Sequence, residues 1–278
     1  MIDLSNVRPA VVAGMFYPSN PQELKGEVEK LLQQVKPHAI RGTIKALIVP
    51  HAGYVYSGLT AAYAYALLRS QPVETVVLIG PSHREYFPGM SVFSGSGFRT
   101  PLGIVEVDAD LRDALLRESI HLKSSTEGHR TEHSLEVQLP FLQTVLHEFQ
   151  FLPIVMGDQH REFSLELGEA LGKILQNKNA ILVASSDLSH YYNAEMARQL
   201  DAVAIKSIHK LDADCFLHDM ETEKTEACGG GSVAAVMHAA RLLGADKCTV
   251  LHSCNSGDVS GDNDRVVGYV SAAMWMEN

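Results

Sequence analysis

Three continuous apolar runs constrain the fold more than any other feature of the sequence. They are ALIV at residues 46–49, VVLIG at 76–80 and ILVAS at 181–185. Such runs are typical of strands that are covered on both faces, as in a parallel sheet between two layers of helices. Segments with helical periodicity lie between them, including residues 22–35 and 58–70. This alternation predicts an α/β fold in which helices sandwich a mainly parallel mixed β-sheet, and we expect a single domain over residues 1–278.

Composition limits the partners and the location of the 278-residue chain. Hydrophobic residues make up 46% and charged residues 20%, so the chain can bury a sizeable core. The formal net charge of −10 argues against nucleic acid or an anionic membrane as a main partner. We find no apolar run of about 18 residues and no basic start followed by an apolar stretch, so neither a membrane span nor a signal peptide is expected. The four cysteines show no CxxC spacing, which predicts reduced thiols and a cytoplasmic protein.

Histidines follow each of the three apolar runs. His51 comes two residues after the first run, His83 three residues after the second, and Asp187 and His190 lie in the predicted turn after the third. A single histidine in such a place is usually a hydrogen-bonded loop residue. However, ligands of open α/β sheets bind beyond the carboxyl ends of the strands. Three histidines in the same position therefore favour a shared site, although the sequence does not show whether the strands are neighbours.

A fourth candidate segment is HRTEHSLEVQLPFL, at residues 129–142, and we predict a helix over residues 133–148. His133 and Glu136 are three residues apart, so a helix would present both on one face. The alternative is a solvated helix start, where an acidic residue is favoured by the helix dipole.

The fifth candidate segment is ACGGG, at residues 227–231, ahead of a helix predicted at 229–243. A cysteine at a helix N-terminus tends to have a lowered thiol pKa, which suits a nucleophile or a metal thiolate. The alternative for Cys228 is a small buried hydrophobic residue, which is the usual state of a free cysteine. The glycines do not form a phosphate-binding loop, because the GxxxxGK[ST] pattern is absent.

Six blocks in this order resemble the Memo family (mediator of ErbB2-driven cell motility): VPHAGYVYSG, IGPSH, FRTPLG, EHSLEVQLPF, SSDLSH and ACGGG. The similarity extends over nearly the whole chain. Within the family, the sequence is most similar to the prokaryotic branch known as protein B of the AmmeMemoRadiSam system.

The resemblance implies a fold like that of the class III extradiol dioxygenases, with a metal pocket. The family's metal-ligand positions fall on His51, His83 and Cys228, and its other pocket positions fall on His133, Asp187 and His190. His190 or His133 is expected to act as acid and base, since imidazole titrates near neutral pH. Asp187 is expected to orient an imidazole or to bind the metal. A thiolate replaces the carboxylate that those dioxygenases use as third ligand, so the candidate ions are iron, copper and zinc, with iron or copper expected first.

Three functions are compatible with these residues. The first is a metal-dependent redox enzyme or oxygenase that acts on a small-molecule or peptide ligand, together with radical-enzyme and AMMECR1-like partner proteins. The second is a non-catalytic metal-binding or protein-interaction module that retains the dioxygenase-like pocket. The third is a hydrolase with Cys228 as nucleophile, His190 or His51 as base, and oxyanion N–H groups from the following glycines.

Overall fold

The computed structural model describes residues 3–36, 38–69 and 71–277. Its strands are β1 (Val7–Arg8), β2 (Gly42–Val49), β3 (Thr75–Pro81), β4 (Met90–Phe93), β5 (Gly97–Thr100), β6 (Gly103–Glu106), β7 (Leu122–Ser125), β8 (Gln150–Met156), β9 (Ala180–Ser185), β10 (His190–Tyr192), β11 (Lys247–Asn255) and β12 (Val266–Glu277). Within these residues, nine strands form a sheet ordered β10-β12-β2-β9-β3-β8-β4-β7, with β11 paired to β12. A small sheet, ordered β1-β5-β6, lies apart from it.

Parallel pairing is concentrated at the centre of the large sheet. Strands β2, β9, β3 and β8 are parallel neighbours in that order. Strand β12 joins β2 in the antiparallel direction, and β4 joins β8 in the same way. The predicted mixed sheet is therefore confirmed, and the three apolar runs of the sequence supply three of its four central parallel strands.

The helices of the described residues cover both faces of this sheet. They are α1 (Pro21–Gln34), α2 (Tyr54–Tyr65), α3 (Ala109–Glu118), α4 (Leu139–Val145), α5 (Arg161–Ile174), α6 (Ala194–His209), α7 (Ala213–Glu221), α8 (Gly230–Leu242) and α9 (Gly257–Ser260), with short 3-10 helices at Leu4–Asn6, Ala66–Leu68 and Glu136–Gln138. Polar caps fix several starts: the side chain of Asn20, for example, accepts hydrogen bonds from two N–H groups in the first turn of α1. None of the helices in this described part is long and apolar enough to cross a membrane.

Strand β2 shows why the apolar runs are continuous. Ala46 and Ile48 belong to the core on one face of the sheet, where α5 and α8 also pack. Leu47 and Val49 belong to the core on the opposite face, with α1 and α2. All four side chains are fully buried. Because both faces are covered here, alternation with polar residues is absent from residues 46–49.

The three strands that precede histidines are direct neighbours, in the order β2-β9-β3. Since they are parallel, the segments that follow them emerge at one edge of the sheet. The register places Val49 beside Ser185, and the Ser186 N–H donates to the Val49 carbonyl at 2.9 Å. The fold thus brings the segments that contain His51, Asp187 and His83 to the same place.

The predicted helix at residues 133–148 is wrong at its start. His133 lies before the 3-10 helix Glu136–Gln138, and α4 begins only at Leu139. The Glu132 carboxylate accepts hydrogen bonds from the N–H groups of His133 and Ser134, which holds this segment in a turn. Pro140 lies in the first turn of α4, where a missing N–H has no cost. His133 and Glu136 therefore do not share a helical face.

His190 was predicted in a turn, but it is the first residue of β10, which pairs with β12. Its N–H donates to the Glu226 carboxylate at 2.6 Å. The next residue, Tyr191, has a positive φ of 67°, so the chain changes direction there. The turn after β9 is consequently shorter than the sequence suggested.

Candidate metal centre

His51 lies at the carboxyl end of β2 and is almost completely buried. Its N–H donates to Asp187 Oδ1 at 2.8 Å, and its Nδ1 lies 3.0 Å from Ser185 Oγ. Burial is the main cause that lowers the pKa of His51, and the nearby His83 and His133 lower it further. The imidazole is therefore neutral at physiological pH, which is the state that binds metal ions.

His83 follows β3 and is held by Glu132 through two contacts. Its N–H donates to Glu132 Oε2 at 2.6 Å, and its Nδ1 lies 2.9 Å from Glu132 Oε1. Burial acts to raise the pKa of Glu132, but hydrogen bonds from His133 and His83 outweigh it, so that the net shift is downward. Since an ionised carboxylate only accepts hydrogen bonds, Nδ1 of His83 is the donor and Nε2 remains free.

Cys228 stands just before α8, and its Sγ lies 3.1 Å from His51 Nε2. Its N–H donates to the Asp187 carbonyl at 3.2 Å. A Cβ atom at the next residue, Gly229, would lie 2.4 Å from the Ser185 carbonyl oxygen, so only glycine permits this close approach. Burial, followed by the charge of Asp187, raises the pKa of Cys228. The lowered thiol pKa expected for a helix N-terminus is therefore wrong.

Candidate ligand atoms of His51, His83 and Cys228 all lie within 4.8 Å of one another. A second group that meets the same limit consists of His83, Glu132 and His133. The rings of His51 and His83 are edge to face with centroids 5.0 Å apart, and the His133 ring lies 4.7 Å from that of His83. Histidines from three separate segments thus surround one small volume.

Asp187 and His190 take different positions around this volume. Asp187 is buried. Its carboxylate accepts a hydrogen bond from the His51 N–H, and its carbonyl accepts one from the Cys228 N–H. Burial raises the pKa of Asp187. His190 belongs to neither of the two ligand groups found among the described residues. It is nevertheless close enough for its charge to lower the pKa of His51.

Three residues that contact the site were missed in the sequence. Glu132 contacts both His83 and His133, Ser185 contacts His51, and Gln138 contacts Ser185. Glu132 had one available signal, since it is a carboxylate directly before a candidate histidine. No sequence pattern indicates Ser185 or Gln138, because their partners are distant in the sequence.

The glycines after Cys228 do not offer free N–H groups for an oxyanion. Gly229 N–H donates to Ser186 Oγ at 2.9 Å, and Gly230 N–H donates to the Ala227 carbonyl at 3.1 Å. Gly231 N–H donates to Gln159 Oε1 at 2.9 Å. With these donors engaged and the thiol pKa raised, the geometry counts against a cysteine hydrolase.

Comparison with known proteins agrees with this architecture. The family model described as Memo-like protein matches residues 8–273. A MEMO1 family protein from Thermoplasma volcanium is 39% identical over 266 residues, which cover 95% of this chain and 97% of the relative. One from Methanocaldococcus jannaschii is 38% identical over 285 residues, which cover 97% and 99%. The crystal structure of an uncharacterized protein from Escherichia coli K12 shares the fold, with a TM-score of 0.56 and 14% identity over 83% of this chain and 99% of that one. By sequence, the chain belongs to the Memo-like protein family.

Proposed function

We propose that the chain binds one transition-metal ion through His51, His83 and Cys228 and uses it for redox chemistry, as an oxygenase does, on a small-molecule or peptide ligand. The observation that carries this proposal is the meeting of two imidazoles and a thiol within 4.8 Å, from three separate segments of the chain. Imidazole and thiolate together suit copper, iron and zinc. Copper or iron is favoured, because zinc does not change its oxidation state.

The hydrogen bonds of Glu132 support this ligand set over the second group. Its Oε1 accepts from the N–H groups of His133 and Ser134 and from Nδ1 of His83, while its Oε2 accepts from the His83 N–H. A carboxylate with this many donors has little capacity left for a metal ion. Glu132 instead orients His83, as carboxylates beside metal-binding histidines commonly do.

His133 is proposed to transfer protons. Its Nδ1 lies 3.2 Å from Glu132 Oε1, so Nε2 is the nitrogen that can exchange a proton with a ligand. The Phe16 ring, 4.7 Å away, packs against the imidazole and limits its movement. When bound, an iron or copper ion supplies the electron transfer that these side chains cannot perform.

Metal analysis of anaerobically purified protein tests the proposal. We expect close to one iron or copper ion per chain in the wild type and very little in Cys228→Ser. Cys248→Ser is the matched control, because Cys248 is also buried but lies on β11, away from the site. Equal metal content in the wild type and Cys228→Ser would contradict the ligand assignment.

Oxygen uptake with catechols then separates the redox enzyme from the non-catalytic metal-binding module. Bound metal without oxygen uptake would favour the binding module.

His190→Ala tests the division between metal ligands and proton-transfer groups. Because His190 lies outside both ligand groups among the described residues, we propose that it shares proton transfer with His133, and we expect the variant to keep most of its metal and to lose turnover. His51→Ala, in contrast, is expected to lose the metal. If His190→Ala loses metal as completely as His51→Ala, His190 is itself a ligand.

A further inference from the structure

The hydroxyl group of Ser185 has three polar neighbours and only one hydrogen. Ser185 Oγ lies 2.6 Å from the Ser134 carbonyl oxygen, 2.9 Å from Gln138 Nε2 and 3.0 Å from His51 Nδ1. A hydroxyl group donates one hydrogen bond and accepts two. The carbonyl oxygen can only accept, so it receives the hydroxyl hydrogen. Both nitrogen neighbours must then act as donors.

The orientation of Gln138 agrees with this assignment. Its Nε2 also donates to the Pro50 carbonyl at 2.9 Å, and its Oε1 accepts from the Tyr65 hydroxyl at 2.8 Å. The opposite amide orientation would place two acceptor oxygens against each other at Pro50. The amide therefore presents an N–H to Ser185, and the remaining lone pair of Ser185 Oγ faces His51.

From this count of donors and acceptors, we infer that Ser185 is a positioning residue that keeps the proton of neutral His51 on Nδ1, so that Nε2 presents its lone pair toward Cys228. If Nδ1 carried no proton, it would need the Ser185 hydrogen. The oxygens of Ser185 and Ser134 would then face each other at 2.6 Å without a hydrogen between them. All partners of Ser185 Oγ are buried, so water does not offer an alternative.

The tautomer of His51 also affects metal binding, a step that rests on the proposed function. His51 Nε2 lies 3.1 Å from Cys228 Sγ, so the nitrogen with the lone pair is the one that faces the thiol. The other tautomer would place a proton where the metal ion is expected. Groups that fix the tautomer of a metal-binding histidine typically change metal affinity about 10–100-fold when removed.

Nitrogen-15 NMR of the imidazoles in metal-free protein tests the inference directly, because a protonated and a bare ring nitrogen differ widely in chemical shift. We expect wild-type His51, assigned by its loss in His51→Gln, to show a protonated Nδ1 and a bare Nε2. A protonated Nε2 in the wild type would overturn the inference. This readout needs no bound metal, so it stands even if the metal analysis contradicts the proposed function.

Variants extend the test to metal affinity. In Ser185→Ala, we expect the share of the Nε2–H tautomer to rise and metal affinity to fall roughly 10–100-fold. Ser91→Ala is the matched control, because Ser91 is equally buried but its Oγ makes no hydrogen bond within the described residues. Its tautomer and affinity should match the wild type. Ser185→Ala with the wild-type tautomer and affinity would overturn the inference, and the wild-type spectrum decides it if this variant does not fold.

Discussion

At the scale of single residues, Glu132 is the group on which most of the site depends. Its buried carboxylate holds the backbone and side chain of His83 and the backbone of His133. Glu132→Gln replaces one acceptor oxygen by an amide NH2 group, which donates. This group would face an N–H donor of His83 or His133 without an acceptor between them. We expect the variant to bind metal about 10–100-fold more weakly and to lose about 1–3 kcal/mol of unfolding free energy. Chelator competition and urea unfolding measure the two effects.

Glu169→Gln is the control for this prediction. Glu169 also contacts a histidine, with His238 Nε2 at 3.2 Å, but its side chain is 69% exposed. An exposed pair of this kind contributes about 0–1 kcal/mol, so the control should match the wild type in metal affinity and nearly match it in stability. If Glu132→Gln behaved like Glu169→Gln, the carboxylate would have no orienting role.

A second residue-scale prediction concerns His129, whose Nε2 lies 3.1 Å from the Ser91 carbonyl. Burial lowers the pKa of His129 to about 3, whereas the imidazole of an unfolded chain titrates near 6.5. Between these values the unfolded state binds one more proton, so unfolding free energy falls by about 1.4 kcal/mol per pH unit as the pH decreases from 6.5.

Urea unfolding at several pH values checks this slope. His129→Gln keeps a side-chain N–H donor but does not titrate. Below pH 6.5 the slope of its unfolding free energy against pH should therefore be smaller than that of the wild type by the contribution of about one proton. Parallel curves for the wild type and the variant would show that His129 is already protonated in the folded protein, or that it does not contribute.

The residues of the site differ in how far the sequence could predict them. His51 and His83 were predictable because each follows a continuous apolar run, and that pattern is local. Ser185 and Gln138 act through side-chain contacts with residues at least 47 positions away, such as their contact with each other. No periodicity or motif reports such a contact, so these residues required the structure.

At the scale of secondary-structure elements, the start of α8 shows how packing controls the site. Gly229 lies directly after Cys228, where a side chain would meet the Ser185 carbonyl oxygen at 2.4 Å. We expect Gly229→Ala to cost about 1–3 kcal/mol through overpacking and to weaken metal binding, because Cys228 must move with the helix start. Thermal unfolding and metal titration measure the two effects.

The control is a glycine in a helix with open space around it. A Cβ atom at Gly26 in α1 would meet nothing within 4 Å. Gly26→Ala should therefore stabilise the protein by about 0.5–1 kcal/mol and leave metal binding unchanged. If both substitutions stabilised the protein, the close approach at Gly229 would not be rigid.

Elements with a strong internal pattern were predicted well, and elements that depend on tertiary contacts were not. Helix α1 was predicted at residues 22–35 and observed at Pro21–Gln34, where Asn20 caps its first turn. The segment predicted to be helical from residue 133 instead has a 3-10 helix at Glu136–Gln138 and α4 from Leu139. The Glu132 carboxylate, which also binds the distant His83, accepts from the N–H groups of His133 and Ser134, and local propensity could not foresee this tertiary contact.

At the scale of the whole molecule, the site is held from two directions. The parallel strands β2, β9 and β3 bring His51, Asp187 and His83 to one edge of the sheet. From the other side, the buried Arg8 donates to the carbonyl of Glu132 and forms an ion pair with Glu136 at 2.7 Å. These contacts link the segment that contains His133 to strand β1. This support does not depend on a metal ion, so we expect the site to be preformed.

A preformed site predicts that metal removal leaves the fold intact and lowers its stability only by mass action. A ligand present at 100 times its Kd stabilises the folded state by about 2.7 kcal/mol. For a chain of this size, that corresponds to a rise of roughly 5 °C in Tm. We therefore expect the same far-ultraviolet circular dichroism with and without a chelator, and a metal-dependent rise in Tm for the wild type and Cys248→Ser but not for Cys228→Ser. Loss of secondary structure on metal removal would contradict preformation, because folding and metal binding would then be one event, as in zinc fingers.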